Sequence, residues 1–110
     1  GQNVILPLEK AIPVSLIINE LLSNAFKYAY PGERTGTILV SLRQDGDHYT
    51  LIVRDDGIGL PETINLDNIE TLGLQLVISL VGQLVGTIAL DRTGGTEVRI
   101  EFAREMTGGM

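Results

Sequence analysis

The chain has 110 residues, 44% of them apolar and 20% charged, enough for one folded domain with a shared core between two layers and too few for a second. A net charge of -6 without a run of Lys or Arg argues against nucleic acid as a partner and against direct contact with an anionic membrane. Absence of cysteine removes disulfides, thiolate zinc sites and thiol catalysis.

In chain order, the apolar run Val4-Ile5-Leu6 reads as a short strand ended by Pro7. Pro13 suits the first turn of a helix, and Val14, Ile17, Ile18, Leu21, Leu22, Ala25 and Ala29 recur at three and four, so the spacing predicts a helix from Val14 to about Tyr28, stopped by Pro31-Gly32. Alternation over Thr37 to Gln44 and His48 to Arg54, about an Asp45-Gly46-Asp47 turn, predicts a hairpin. Asp55 to Leu72 has no period and reads as a lid-like loop. A second helix carries Leu74, Val77, Ile78, Val81 and Val85 as its stripe, with Gly86 placed to end it. Thr87 to Asp91 and Thr96 to Ala103, joined by Thr93-Gly94-Gly95, form a second hairpin.

The stretch from Leu72 to Leu90 nearly matches a membrane span in length, but Gln75, Ser79, Gln83 and three glycines interrupt it, so a helix followed by a strand explains it better. No signal peptide is visible at the N-terminus, and residues 104–110 read as a flexible tail. Helices with one-sided stripes between hairpins predict an α/β two-layer sandwich, a mixed and largely antiparallel sheet covered on one face by helices.

Three pieces carry chemistry. At about 100° per residue, Glu20, Asn24 and Lys27 share an arc of roughly 60° on the first helix, apart from most of the apolar stripe. A carboxylate, an amide oxygen and an ammonium there suit an oxygen-seeking cation and the phosphates it carries, though a solvated face with an incidental Glu-Lys pair has the same pattern. Asp55-Asp56-Gly57-Ile58-Gly59 leaves a strand expected at the centre of the sheet. Its two carboxylates rule against a phosphate cradle, and a carboxylate at that strand end suits an amine donor; an ordinary turn is the plain alternative. Thr71-Leu72-Gly73-Leu74 opens the second helix without an acidic residue, leaving its N–H groups to an anion, as any helix start would.

Taken in this order, the pieces resemble the motif series of the Bergerat-fold ATPase superfamily over essentially the whole chain. Asn19-Glu20-Leu21-Leu22-Ser23-Asn24-Ala25-Phe26-Lys27-Tyr28 resembles the asparagine box, Asp55-Asp56-Gly57-Ile58-Gly59 the first glycine box, Leu72-Gly73-Leu74-Gln75-Leu76-Val77 the second, and Gly94-Gly95-Thr96 the closing glycine-threonine motif. The wording is most similar to the catalytic domains of sensor histidine kinases, in particular those that keep a glutamate in the asparagine box.

The resemblance implies ATP and Mg2+ as ligands, with Asn24 coordinating the metal, Lys27 meeting a phosphate, Tyr28 lying against the adenine and Asp55 accepting a hydrogen bond from the adenine amino group. Gly57 and Gly59 would let the loop close over the nucleoside, Gly73 and Leu74 would bring the helix start to the phosphates, and Thr96 would support Asp55. Glu20 would be a catalytic base or orienting residue, or an outer-shell support of the metal. The lid departs from the family pattern: it has no phenylalanine, since Phe26 and Phe102 are the only two, and Ile69-Glu70-Thr71 replaces the leading glycines of the second box.

The sole histidine, His48, follows a turn and is expected to be an exposed strand residue, so the phosphoacceptor should lie on a separate dimerisation domain of the parent protein. A response regulator downstream and a cytoplasmic location follow from the same resemblance. A serine kinase of the anti-sigma type and a non-catalytic ATP-binding switch are the competing readings.

Overall fold

A computed structural model describes residues 4–25, 36–57 and 74–104. Its elements are α1 (Leu8–Asn24), β1 (Ile38–Asp45), β2 (His48–Asp55), α2 (Leu74–Gln83), β3 (Thr87–Asp91) and β4 (Thr96–Ala103). The strands form one sheet in the order β1-β2-β4-β3, and every pairing is antiparallel. The expected two-layer sandwich is what forms, with both hairpins within a residue of their expected limits. Among the described residues the sheet has no parallel pair, so the expected mixture of directions is absent from them.

The period of two sorts each strand. Tyr49, Leu51 and Val53 of β2 and Val98, Ile100 and Phe102 of β4 point inward and are buried. They meet Val14, Ile17 and Leu21 of α1 and Leu74, Val77, Leu80 and Val81 of α2 in one cluster. Each such side chain contributes about 1.5–3 kcal/mol by leaving water. The Tyr49 and Phe102 rings stack at 5.0 Å between centroids.

Three local expectations need correction. Helix α1 starts at Leu8, with Pro7 at its N-cap, so Pro13 lies inside the helix and not in its first turn. The polarity of the extra turns is inverted: Leu8 is 72% exposed while Lys10 is buried at 7%, which hides the period from the sequence. The expected strand at Val4-Ile5-Leu6 does not form, because side chains take its backbone groups. The Ile5 N–H donates to Gln44 Oε1 at 3.0 Å and the Tyr49 hydroxyl donates to the Ile5 carbonyl. Val4 and Leu6 still pack on the core. The expected end of α1 near Tyr28 and the lid-like loop fall outside the described residues apart from their edges.

The third correction concerns the end of α2. The Gly86 N–H donates to the Val81 carbonyl and the Val85 N–H to the Gly82 carbonyl, both at 3.0 Å. This is the Schellman pattern, in which the left-handed residue is normally glycine. Here it is Val85, at φ 53°, one residue before the glycine expected to end the helix. Gly86 serves a different need, since a Cβ there would sit 2.5 Å from the Glu101 carbonyl oxygen. Val85 is exposed and β-branched, so Val85→Gly should raise unfolding free energy by about 1 kcal/mol through relief of left-handed strain. Urea denaturation checks this; a fall in the midpoint would show that the valine side chain contributes more than its backbone costs.

Candidate functional site

The chain direction collects several polar groups at one end of the sheet. Ile5, just before α1, touches Gln44 and Tyr49 beside the β1–β2 turn. The 17 residues of α1 rise about 25 Å, so Asn24 is carried toward the opposite end. Helix α2 finishes where Gly86 meets Glu101 and Phe102, which sets Leu74, its first residue, toward that same opposite end. The last inward position of β2 and the first inward position of β4 also lie there. They are Asp55 and Thr96, register partners in the sheet.

The alternation that buries Tyr49, Leu51 and Val53 buries Asp55 as well, at 7% exposure, and Thr96 at 8%. A carboxylate and a hydroxyl therefore end two rows of apolar side chains. The Gly57 N–H donates to Asp55 Oδ1 at 3.0 Å, and the Thr96 backbone N–H donates to the same carboxyl group. Burial nonetheless pushes the Asp55 carboxyl above the ordinary carboxylate range. The two N–H bonds oppose that shift, and the neighbouring Asp56 charge adds to it.

Thr96 thus reaches Asp55 through its backbone. Its hydroxyl is buried and has no hydrogen-bond partner. The other buried side-chain atom without a partner among the described residues is Nδ2 of Asn24, in the last turn of α1. Most native buried polar atoms are paired, and these two orphans lie at the same end of the fold. Asn24 is half-buried, closer to the core than a solvent-facing position, and Glu20 is half-buried one turn earlier.

Gly95, part of the Gly94-Gly95-Thr96 motif, fixes this geometry through a backbone contact that the motif alone does not reveal. It has φ 127°, and a Cβ on it would lie 2.1 Å from the Asp55 carbonyl oxygen and 3.0 Å from its carbonyl carbon. The β3–β4 turn therefore presses directly on the backbone that presents Asp55. Asp56 has a separate duty: its Oδ1 accepts the Thr37 N–H at 2.9 Å, while its own N–H donates to the Thr37 carbonyl at 3.3 Å. The two adjacent carboxylates are thereby divided, one facing the core end and one tying the start of β1 to the loop.

Helix α2 has no acidic residue in its first turn, as expected, and Leu74 is buried. Lys27, Tyr28, Gly59 and Gly73 lie outside the described residues. His48 is an exposed strand residue whose Nε2 stands 2.9 Å from Glu101 Oε1. Among the described residues, no helix is long and apolar enough to cross a membrane.

Comparison with known proteins bears on the family and the fold. The sensor histidine kinase PdtaS of Mycobacterium tuberculosis is 32% identical over 102 residues, 89% of this chain and 20% of that protein. Blue-light-activated histidine kinase 2 of Erythrobacter litoralis is 34% identical over 104 residues, 93% of this chain and 30% of that protein. The solved structure of the Erythrobacter litoralis EL346 blue-light activated histidine kinase superposes with a TM-score of 0.87 at 29% identity, over 99% of this chain and 35% of that one. The chain thus spans about a fifth to a third of the length of these relatives. Residues 9–106 match the model of the histidine kinase-, DNA gyrase B- and HSP90-like ATPases, and with the fold, the motif order and these relatives in agreement, the chain belongs to that family as a catalytic domain of the histidine kinase type.

Proposed function

We propose that the chain binds ATP at the Asp55–Thr96 end of the sheet and transfers its γ-phosphoryl group to a histidine presented by a separate, helical dimerisation domain of the parent protein. The observation that carries this reading is the buried Asp55 carboxylate beside the unpartnered Thr96 hydroxyl. Together they offer an acceptor to an amino group and a second polar contact, in a place where water is largely excluded. Adenine has such an amino donor, whereas guanine turns a carbonyl toward the same position, where two acceptors would face each other.

In this reading Asn24 supplies an amide oxygen to Mg2+, Lys27 meets a phosphate, Tyr28 lies on the adenine, and Gly57, Gly59, Gly73 and Leu74 bring backbone to the nucleotide. Glu20 orients the reacting groups or acts as a base. The donor set suits a metal that arrives on its polyphosphate. Asn24 stands half-buried in the last turn of α1, and an amide oxygen is a ligand type that Mg2+ accepts. Mg2+ bound this way neutralises phosphate charge. What remains for the protein is positioning, which suits a site with few reactive side chains. A response regulator would take the phosphoryl group onward, and the domain would work in the cytoplasm.

Asn24→Ala should weaken MgATP binding by about tenfold or more, close to 1.4 kcal/mol. Stability should hold or rise, because alanine is the better helix former and the unpaired Nδ2 is removed. Calorimetry with and without Mg2+ checks both the size and the metal dependence; equal affinity in mutant and parent would remove Asn24 from the metal. The reaction itself is tested by incubating the chain with γ-labelled ATP and the histidine-bearing segment of its parent. An acid-labile, alkali-stable phosphoprotein is expected. An acid-stable product would indicate a hydroxyl acceptor and the serine-kinase alternative, and binding without transfer would indicate a switch.

A further inference from the structure

The sheet face turned away from the helices carries charge that the nucleotide site does not use. Three of the chain's eight Lys and Arg residues, Arg43, Arg54 and Arg99, stand on it by strand alternation. Arg43 pairs across β1–β2 with Thr50, and Arg99 pairs across β2–β4 with Ile52, so the two guanidinium groups flank β2 from opposite sides, one row apart. Between them is a cavity of about 390 Å³, lined also by Gln44, Asp45 and His48.

The same alternation places four carboxylates on this face, Asp45, Asp91, Glu97 and Glu101, and among the described residues all but Asp45 have partners, Asp91 accepting the Thr93 N–H at 2.9 Å. Glu101 holds His48 at 2.9 Å, and Glu97 stands 3.6 Å from Arg54 and 3.9 Å from Arg99. Among the described residues, no carboxylate lies within ion-pair range of Arg43. Two exposed guanidinium forks over a floor of one hydroxyl and one isoleucine present paired donors beside a small apolar surface.

We propose that this face is a docking site for an acidic peptide segment of a partner protein, with a Glu or Asp carboxylate held between Arg43 and Arg99 and a neighbouring apolar side chain resting on Ile52. Charge decides among anions. Asp45 at the rim disfavours a doubly charged phosphate, and the net charge of -6 disfavours an anionic membrane, whereas a single carboxylate on a short peptide meets neither obstacle to the same degree. The site is independent of ATP, since Asp55 and Thr96 lie at the far end of the sheet and face its other side.

The probe is the pentapeptide acetyl-Ser-Leu-Glu-Leu-Ser-amide, which carries one carboxylate, titrated into the isotope-labelled chain at low ionic strength, with its Glu-to-Gln counterpart and inorganic phosphate as separate arms. Saturating amide shifts at Arg43, His48, Thr50, Ile52 and Arg99 are expected with the Glu peptide, and at least about tenfold weaker binding to the Arg43→Gln/Arg99→Gln variant. That variant should keep the parent's MgATP affinity and fold. No saturation, an equal response to the Gln peptide, an unchanged response in the variant, or tighter saturation by phosphate would each overturn the proposal.

Discussion

Gly95→Ala is expected to unfold the chain at markedly lower temperature and to lose ATP affinity at temperatures where it is still folded. Two costs add. A φ of 127° is a backbone region that L side chains rarely adopt, and the new Cβ would stand 2.1 Å from the Asp55 carbonyl oxygen. That neighbour is backbone at the end of β2, a strand paired on both sides, and cannot swing aside as a side chain would. Strain of this kind costs of order 1–3 kcal/mol before the clash is counted, so a fall in Tm of roughly 8 °C or more is expected. Gly94 is the internal control, having φ 69° with nothing within 4 Å of a built Cβ. Gly94→Ala should cost only about 1–2 kcal/mol and leave nucleotide affinity near that of the parent. Equal effects of the two substitutions on affinity would show that the turn does not position Asp55.

Asp55→Asn is expected to move stability and affinity in opposite directions. Burial raises the folded-state pKa of this carboxyl above its unfolded value, so the native state holds the proton more tightly than the unfolded chain. The unfavourable contribution of Asp55 is therefore absent at pH below the ordinary carboxylate value, develops as pH rises from that value through the raised one, and is constant above it. A neutral amide removes it. The variant should be more stable than the parent at pH 7, and the gain should shrink on acidification through the carboxylate range. Its amide can rotate to present a donor toward the adenine amino donor, costing roughly 1–3 kcal/mol or tenfold to a few hundredfold in ATP affinity. The preference for ATP over GTP should narrow with it. A carboxylate retained for structure alone would instead lose stability when replaced, so paired melts and nucleotide competition separate the two roles.

Much of this is legible in the sequence, for definable reasons. Hairpins with strict alternation, such as Thr96 to Ala103, carry a period of two that no helix reproduces, and their limits emerge almost to the residue. The motifs were legible because their order and spacing are constrained by a site assembled from distant elements. The start of α1 was not, because Lys10 is buried and Leu8 and Ile12 are exposed, the reverse of what a periodicity argument assumes. The end of α2 was missed because the usual glycine rule points to Gly86, while Val85 takes the strained conformation and Gly86 answers a close approach from Glu101. Gly95 is legible as part of the Gly94-Gly95-Thr96 motif, but its close approach to Asp55 is not. That approach depends on the Asp55 backbone, forty residues away in sequence and adjacent only once β2 and β4 pair.

In the proposed reading ATP occupies the end of the sheet that holds Asp55, Thr96, Asn24 and the start of α2. Titrating the isotope-labelled chain with ATP, in the presence and absence of Mg2+, and following each backbone amide tests it most directly. Saturable shifts concentrated at Asn24, Asp55, Gly57, Leu74 and Thr96, tighter with Mg2+ and much weaker with GTP, are the expected result. Saturable shifts confined to the Arg43–Arg99 face, or no saturation with ATP at all, would contradict the assignment.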